Sequence, residues 1–125
     1  MQLPFCENIE SHLCKPTPPL GERPLLDLEQ AASLAIMFKV LANNTRLRIL
    51  HALVKTGELR VSELAGMVGM TPQAVSNQLQ LLVLRGILEC RREGLNIFYR
   101  IMDPCVISLL EYGLCLAEEV KERAG

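Results

Sequence analysis

The chain has 125 residues, half of them apolar and only five aromatic, so one domain with an aliphatic core is expected. No apolar run reaches the roughly 18 residues that a membrane span needs, and no basic start leads into an apolar stretch; both exclude a membrane role and point to the cytoplasm. The net charge of −1 conceals a division: residues 43–101 hold eight Lys/Arg against four acids, while residues 1–42 and 102–125 carry −2 and −3. A basic middle between acidic ends suggests a polyanionic partner for the middle alone.

Residues 1–24 contain five of the seven prolines, and "KPTPPLGERP" cannot be a helix interior because each proline removes a donor and clashes with the preceding turn. These residues are expected to form an extended, mobile arm, with the domain proper at 25–125. Asp27 and Gln30 make a capping box for the mostly apolar helix of "LEQAASLAIMFKVLA". Asn43 is placed to cap the next helix, about 44–55, with Leu47, Leu50 and Leu53 or Val54 inward and His51 as a core or interface histidine. Gly57 closes it. A short helix is expected at about 61–68, with Leu64 and Val68 inward and Gly69 as its left-handed terminator.

"TPQAVSNQLQLL", residues 71–82, opens with Thr71 as N-cap and Pro72 at the first helical position. Val75, Leu79 and Leu82 form its apolar stripe. The opposite face carries Gln73, Asn77 and Gln80, with Ser76 beside it, and none of these is charged. After Gly86 the period changes: "ILECRREGLNIFYRI" holds two short strand-like runs, a hairpin with its loop at about 92–95 and a tip made basic by Arg91 and Arg92. Cys90 on the first run is a packing residue. From Asp103 a final helix runs to about Lys121. Its apolar residues Val106, Ile107, Leu109, Leu110, Leu114 and Leu116 exceed what one intramolecular face requires, which suggests pairing with a second copy.

A short helix, a glycine turn and a second helix make a helix-turn-helix, whose second helix enters the major groove. Asn and Gln match the donor and acceptor of adenine, and Ser serves either role. Amides therefore suit base edges, while phosphates require charge, which Arg91 and Arg92 supply from the neighbouring hairpin. The fold class is mainly α with a small β-hairpin: a homodimeric winged helix-turn-helix.

The stretch "LANNTRLRILHALVKTGELRVSELAGMVGMTPQAVSNQLQLLVLRGILECRREGLNIFYRI" closely resembles the winged-helix repressors of the ArsR/SmtB family. The family pattern Leu-Ala-Asp-Pro-Thr-Arg-Leu-Arg-Ile-Leu is matched at 41–50, with Asn43 and Asn44 in place of Asp-Pro. "AVSNQL" matches the recognition helix, and "LRG" with "REG…YR" the wing. The resemblance covers roughly residues 28–120. It implies a homodimer through residues 103–121, an operator with two half-sites, and repression relieved by an inducer.

The resemblance also implies two places for an inducing metal ion. One joins an N-terminal arm to thiols before the recognition helix. Here the arm offers Cys6, His12 and Cys14, but the matching stretch Glu58-Leu59-Arg60-Val61-Ser62-Glu63-Leu64 has no thiol. Thiolates with imidazole suit Zn, Cd, Pb or Hg, and As(III) joins them on the panel of candidate inducers. The second lies across paired terminal helices, where Asp103, Cys105 and Glu119 match, Leu116 stands at a ligand position, and Cys115 is its neighbour. The five cysteines, at 6, 14, 90, 105 and 115, are odd in number and scattered, so reduced thiols are expected rather than a disulfide framework. A thiol-based redox or reactive-sulfur switch on the same fold is the alternative. No nucleophile elbow, phosphate loop or His-Glu-x-x-His motif is present, so an enzyme is not expected.

Overall fold

The computed structural model describes residues 17–124. The elements run α1 (Leu28–Leu41), α2 (Asn44–Thr56), α3 (Val61–Val68), α4 (Pro72–Leu84), β1 (Leu88–Glu93), β2 (Asn96–Ile101) and α5 (Pro104–Ala124), preceded by one 3₁₀ turn at Leu20–Glu22. The arm expected at 1–24 is therefore not wholly extended in its described part. Residues 1–16, with Cys6, His12 and Cys14, lie outside the described residues.

Helix starts follow the capping chemistry of the sequence. Asp27 accepts from the Gln30 backbone at 2.8 Å while the Gln30 side chain accepts from the Asp27 backbone at 3.1 Å. Asn43 accepts from the Arg46 backbone and Thr71 from the Ala74 backbone, each satisfying a donor that the first turn leaves open. Gly69 ends α3 at φ 69° and ψ 38°, in the left-handed region where a Cβ is disfavoured.

The core is built from α2, α3, α4 and the hairpin. Ile49, Leu50, Leu64, Val75, Leu79, Leu82 and Ile87 are wholly buried, with Leu53, Leu88, Cys90 and Tyr99 nearly so. The inward set of α2 differs from the expectation. Ile49 and Ala52 join Leu50 and Leu53 inside, whereas Leu47 and Val54 each remain 38% exposed and His51 faces solvent. Leu47, His51 and Val54 recur at i, i+4 and i+7, so α2 carries a second stripe that this protomer leaves uncovered.

β1 and β2 pair antiparallel from Leu88↔Ile101 to Glu93↔Asn96, leaving a two-residue turn at Gly94–Leu95. The expected loop at 92–95 is thus shorter, and Arg92 belongs to the ladder opposite Ile97. Gly94 takes φ 63°, the positive angle such a tight hairpin turn requires. A short bridge adds Leu59 to the hairpin: its N–H donates to Tyr99 O at 3.1 Å, and Tyr99 N–H donates back at 2.9 Å. No helix among the described residues is long and apolar enough to cross a membrane.

Candidate nucleic-acid interface

α3, the turn at Gly69 and α4 form the helix-turn-helix, and its angle is held by side chains with no local sequence signal. Arg46 of α2 donates from Nε to Gln78 Oε1 at 2.8 Å and from Nη1 to Val40 O at 3.1 Å. It thereby ties the end of α1 and the middle of α4 to α2. Arg48 donates from Nη1 to Val68 O at 3.1 Å, satisfying a carbonyl at the end of α3. Gln78 is three residues after Val75 and four before Leu82, on the inner side of α4, and its place among apolar positions was the readable hint of a structural amide.

The outer side of α4 carries the amides expected there. Gln73 and Asn77 are exposed, and Ser76 and Gln80 are half-buried. They bond to one another along the helix: Gln73 Nε2 donates to Asn77 Oδ1 at 3.0 Å, and Gln80 Nε2 donates to Ser76 Oγ at 3.3 Å. Beside them a groove of about 340 Å³ separates α4 from the wing, lined by Arg60, Ser62, Ser76, Gln80, Asn96 and Tyr99 among others. Arg60 at the start of α3 donates to Glu63 through both its backbone, at 3.0 Å, and Nε, at 3.2 Å. Those bonds, the backbone one first, hold the Glu63 carboxyl below its ordinary pKa.

The two wing arginines differ. Successive strand residues point to opposite faces, and only Arg92, exposed at the tip, presents an uncommitted guanidinium edge. Its Nε donates to Gly94 O at 3.0 Å. Arg91 is engaged three ways, by Glu58 through Nε at 3.1 Å and Nη2 at 2.5 Å, and by Glu93 through Nη1 at 2.8 Å. Its guanidinium lies 4.6 Å from the centroid of Phe98, its cross-strand partner. The Glu58 bonds, then the Glu93 bond, push the Arg91 pKa further up. Arg100 pairs with Glu89, a carboxylate only 5% exposed at the base of the wing.

Of the ligand residues expected on α5, Asp103 and Cys105 are neighbours at its start, with Asp103 Oδ1 accepting from the Cys105 backbone at 2.8 Å. Cys115 and Glu119 are neighbours further along, with Sγ donating to Oε1 at 3.5 Å. The two halves lie ten residues, or about 15 Å, apart along the helix, so one protomer does not unite them. Among the described residues no three His, Cys, Asp or Glu side chains come together as a metal cluster. The expectation of reduced thiols also needs correction: Cys90 and Cys105 are disulfide-bonded, while Cys115 is free and exposed. Cys90 is 2% exposed, so the packing residue expected there is fully buried and is also cross-linked.

A helix-turn-helix packed on α2, an amide-bearing outer face on its second helix and a two-stranded hairpin beside it define a winged helix-turn-helix protein. The family described as bacterial regulatory protein, arsR family, matches residues 43–89. A transcriptional repressor SmtB homolog from Synechocystis is 33% identical over 86% of this chain and 80% of its own. The cadmium resistance regulatory protein CadC of Listeria innocua is 32% identical over 70% of this chain and 74% of its own. Among solved structures, the antimony-specific repressor AntR is 55% identical, with a TM-score of 0.74, covering 87% of this chain and 98% of that one. A homodimeric winged helix-turn-helix domain from Mycobacterium bovis has 35% identity and a TM-score of 0.66, covering 78% and 92%. The chain belongs to the ArsR/SmtB family of winged-helix transcriptional repressors, and it is a DNA-binding regulator rather than an enzyme.

Proposed function

We propose that this protein is a cytoplasmic homodimeric repressor that holds a two-half-site operator and releases it on binding a soft metal or metalloid ion. The carrying observation is the uncharged amide face of α4 standing free beside the wing. Asn77 and Gln73 read base edges, Ser76 and Gln80 support them, and the wing adds phosphate contacts through Arg92. Each protomer presents one such face, so two half-sites need two copies, joined through residues 103–121.

The ion is Zn, Cd, Pb, Hg or As(III), since the donors available are thiolates, one imidazole and carboxylates. The first site is the arm, Cys6, His12 and Cys14. The second, open once the Cys105 disulfide is reduced, is Asp103 and Cys105 of one protomer with Cys115 and Glu119 of its partner. Antiparallel pairing of two α5 helices would bring together the two halves that each protomer keeps apart. Thiolates must lose protons to ligate, so release should weaken as pH falls. The ion acts only through its preference for the non-binding dimer.

A second reading is a thiol switch on the same fold, favoured by the disulfide-bonded state of Cys90 and Cys105. Operator binding measured with each ion of that panel, in excess reductant and without it, separates the two. Release by an ion in reductant, with a fixed stoichiometry, supports ligation. Release by oxidant alone supports the switch. Cys6→Ser with Cys14→Ser, set against Cys105→Ser with Cys115→Ser, then assigns the sensor. A double variant that still responds normally to the ion removes its pair from consideration.

A further inference from the structure

Residues 58–60 join α2 to α3, and each of the three makes its own tie to the hairpin. Glu58 accepts two bonds from Arg91, at 3.1 and 2.5 Å. Leu59 exchanges both backbone bonds with Tyr99. Arg60 Nη1 donates to Asn96 Oδ1 at 3.4 Å. These three residues behave as a strap, a single β-bridge at Leu59 flanked by two side-chain ties, that continues directly into the first helix of the helix-turn-helix.

We propose that Arg91 and Glu58 are a positioning pair for operator recognition: their bidentate ion pair latches the wing to this strap and fixes the wing tip relative to the recognition helix. The inference rests on the operator reading above and assigns Arg91 a role other than phosphate binding. Three observations carry it. Three of the five guanidinium N–H donors are already committed to carboxylates. The guanidinium face lies over Phe98, so the group is held from its edge and from its face. The trio Glu58, Arg91 and Glu93 carries a net −1, which offers a phosphate no attraction. The fork geometry of Arg on a carboxylate fixes orientation as well as distance, which suits a latch better than a lone point charge would.

Without the Glu58 tie, the outer half of the wing keeps the Leu59–Tyr99 bridge and the long Arg60–Asn96 bond, while its base stays packed through Leu88, Cys90 and Tyr99. A two-stranded hairpin is a marginal structure by itself. Its tip would then swing, and the dimer would have to order two wings on each binding event.

Glu58→Gln separates this reading from phosphate contact, because the two predict opposite signs. It removes a negative charge from the DNA-facing half and frees Arg91. If Arg91 served phosphates, operator binding would tighten. A latch requires the reverse, a loss of about tenfold in operator affinity, on the scale of coupled polar pairs. Arg91→Ala should lose about as much, and the double variant no more than either single one. The salt dependence of binding should stay as in the unmodified protein for all three, because no phosphate contact is removed. Amide hydrogen exchange at residues 94–98 should quicken while the α4 core keeps its protection, which separates a loosened wing from a misfolded domain. Arg91→Lys, which keeps the charge but loses the fork, should recover only part of the affinity. Tighter binding by Glu58→Gln, or a shallower salt dependence for Arg91→Ala, would overturn the latch. Arg92→Ala serves as the control: a shallower salt dependence there shows that the wing meets DNA. An unmodified protein that binds no operator would instead defeat the operator reading on which the latch rests.

Discussion

Two regions of this molecule are finished to different degrees. The reading head, α2 to β2, closes its core within one protomer and holds sixteen of the nineteen buried hydrophobic residues. The outer helices, α1 and α5, contribute only Val40, Leu41 and Val106. They leave Leu34, Ile36 and Phe38 on one, and Tyr112, Leu114, Leu116 and Val120 on the other, between 45% and 75% exposed. Apolar side chains in such numbers on two helices of one domain mark surface awaiting a partner. The head is thus complete as a DNA-reading unit, whereas the outer layer is complete only as half of something larger.

The sharpest break in that contrast is a charge on the outer layer. Leu114→Glu should give folded monomers by sedimentation and weaken the full operator by more than about a hundredfold, because the second half-site no longer binds from the same molecule. Leu110 is the poorer choice, since it packs against the protomer's own core. A Leu114→Glu protein that remained dimeric would place the interface elsewhere. Truncation inside the head should act on the fold: Leu79→Ala removes a wholly buried side chain of α4 and should cost about 2–5 kcal/mol in urea unfolding. Smaller, and confined to recognition, is Asn77→Ala. It should cost the cognate operator about 1–3 kcal/mol and blur preference at one base pair, while leaving thermal unfolding unchanged. Arg92→Ala should weaken all sequences alike and reduce the slope of log affinity against log salt by about 1.8 for the dimer, one phosphate contact being lost from each protomer.

The smallest effect is set by pH. Glu63 has a lowered pKa in the folded protein because Arg60 donates to it. Its contribution is therefore present above the ordinary carboxylate value and fades as pH falls through the lowered one. Unfolding midpoints of the unmodified protein and Glu63→Gln should differ at neutral pH and converge in acid.

The head was far more legible in the sequence than the contacts that orient it. Capping chemistry is local, so Asp27, Asn43, Thr71 and Gly69 announced their helix ends correctly. The stripe of Val75, Leu79 and Leu82 has one possible helical face, and the structure buries all three. α2 was harder because it is apolar on two sides: "LRILHALV" fits one stripe through Ile49, Leu50 and Leu53 and another through Leu47, His51 and Val54. Only tertiary packing decides between them. The charged run Arg91-Arg92-Glu93 has the composition of a loop yet pairs in the ladder, since a hairpin exposed on one side tolerates charge there. Arg46 with Gln78, and Arg91 with Glu58, are 32 and 33 residues apart, and no periodicity encodes such a pair. The arm cluster lies outside the described residues, so Cys6, His12 and Cys14 stand as the sequence left them.

The ladder of Gln73 with Asn77 and Gln80 with Ser76 bears on how this protein searches for its site. In the free protein these side chains already satisfy part of one another's hydrogen bonding, so the α4 surface is quiet toward DNA that offers the wrong base edges. If Gln73 and Asn77 read base edges as proposed, non-cognate sequence gives no reason to exchange an internal bond for an external one, and a dimer would keep sliding on its phosphate contacts. Only a base pair presenting donor and acceptor at matching positions makes the exchange favourable. On that proposal, arrest at the operator would be a trade of partners along one helix face, with scanning speed and final selectivity set by different residues.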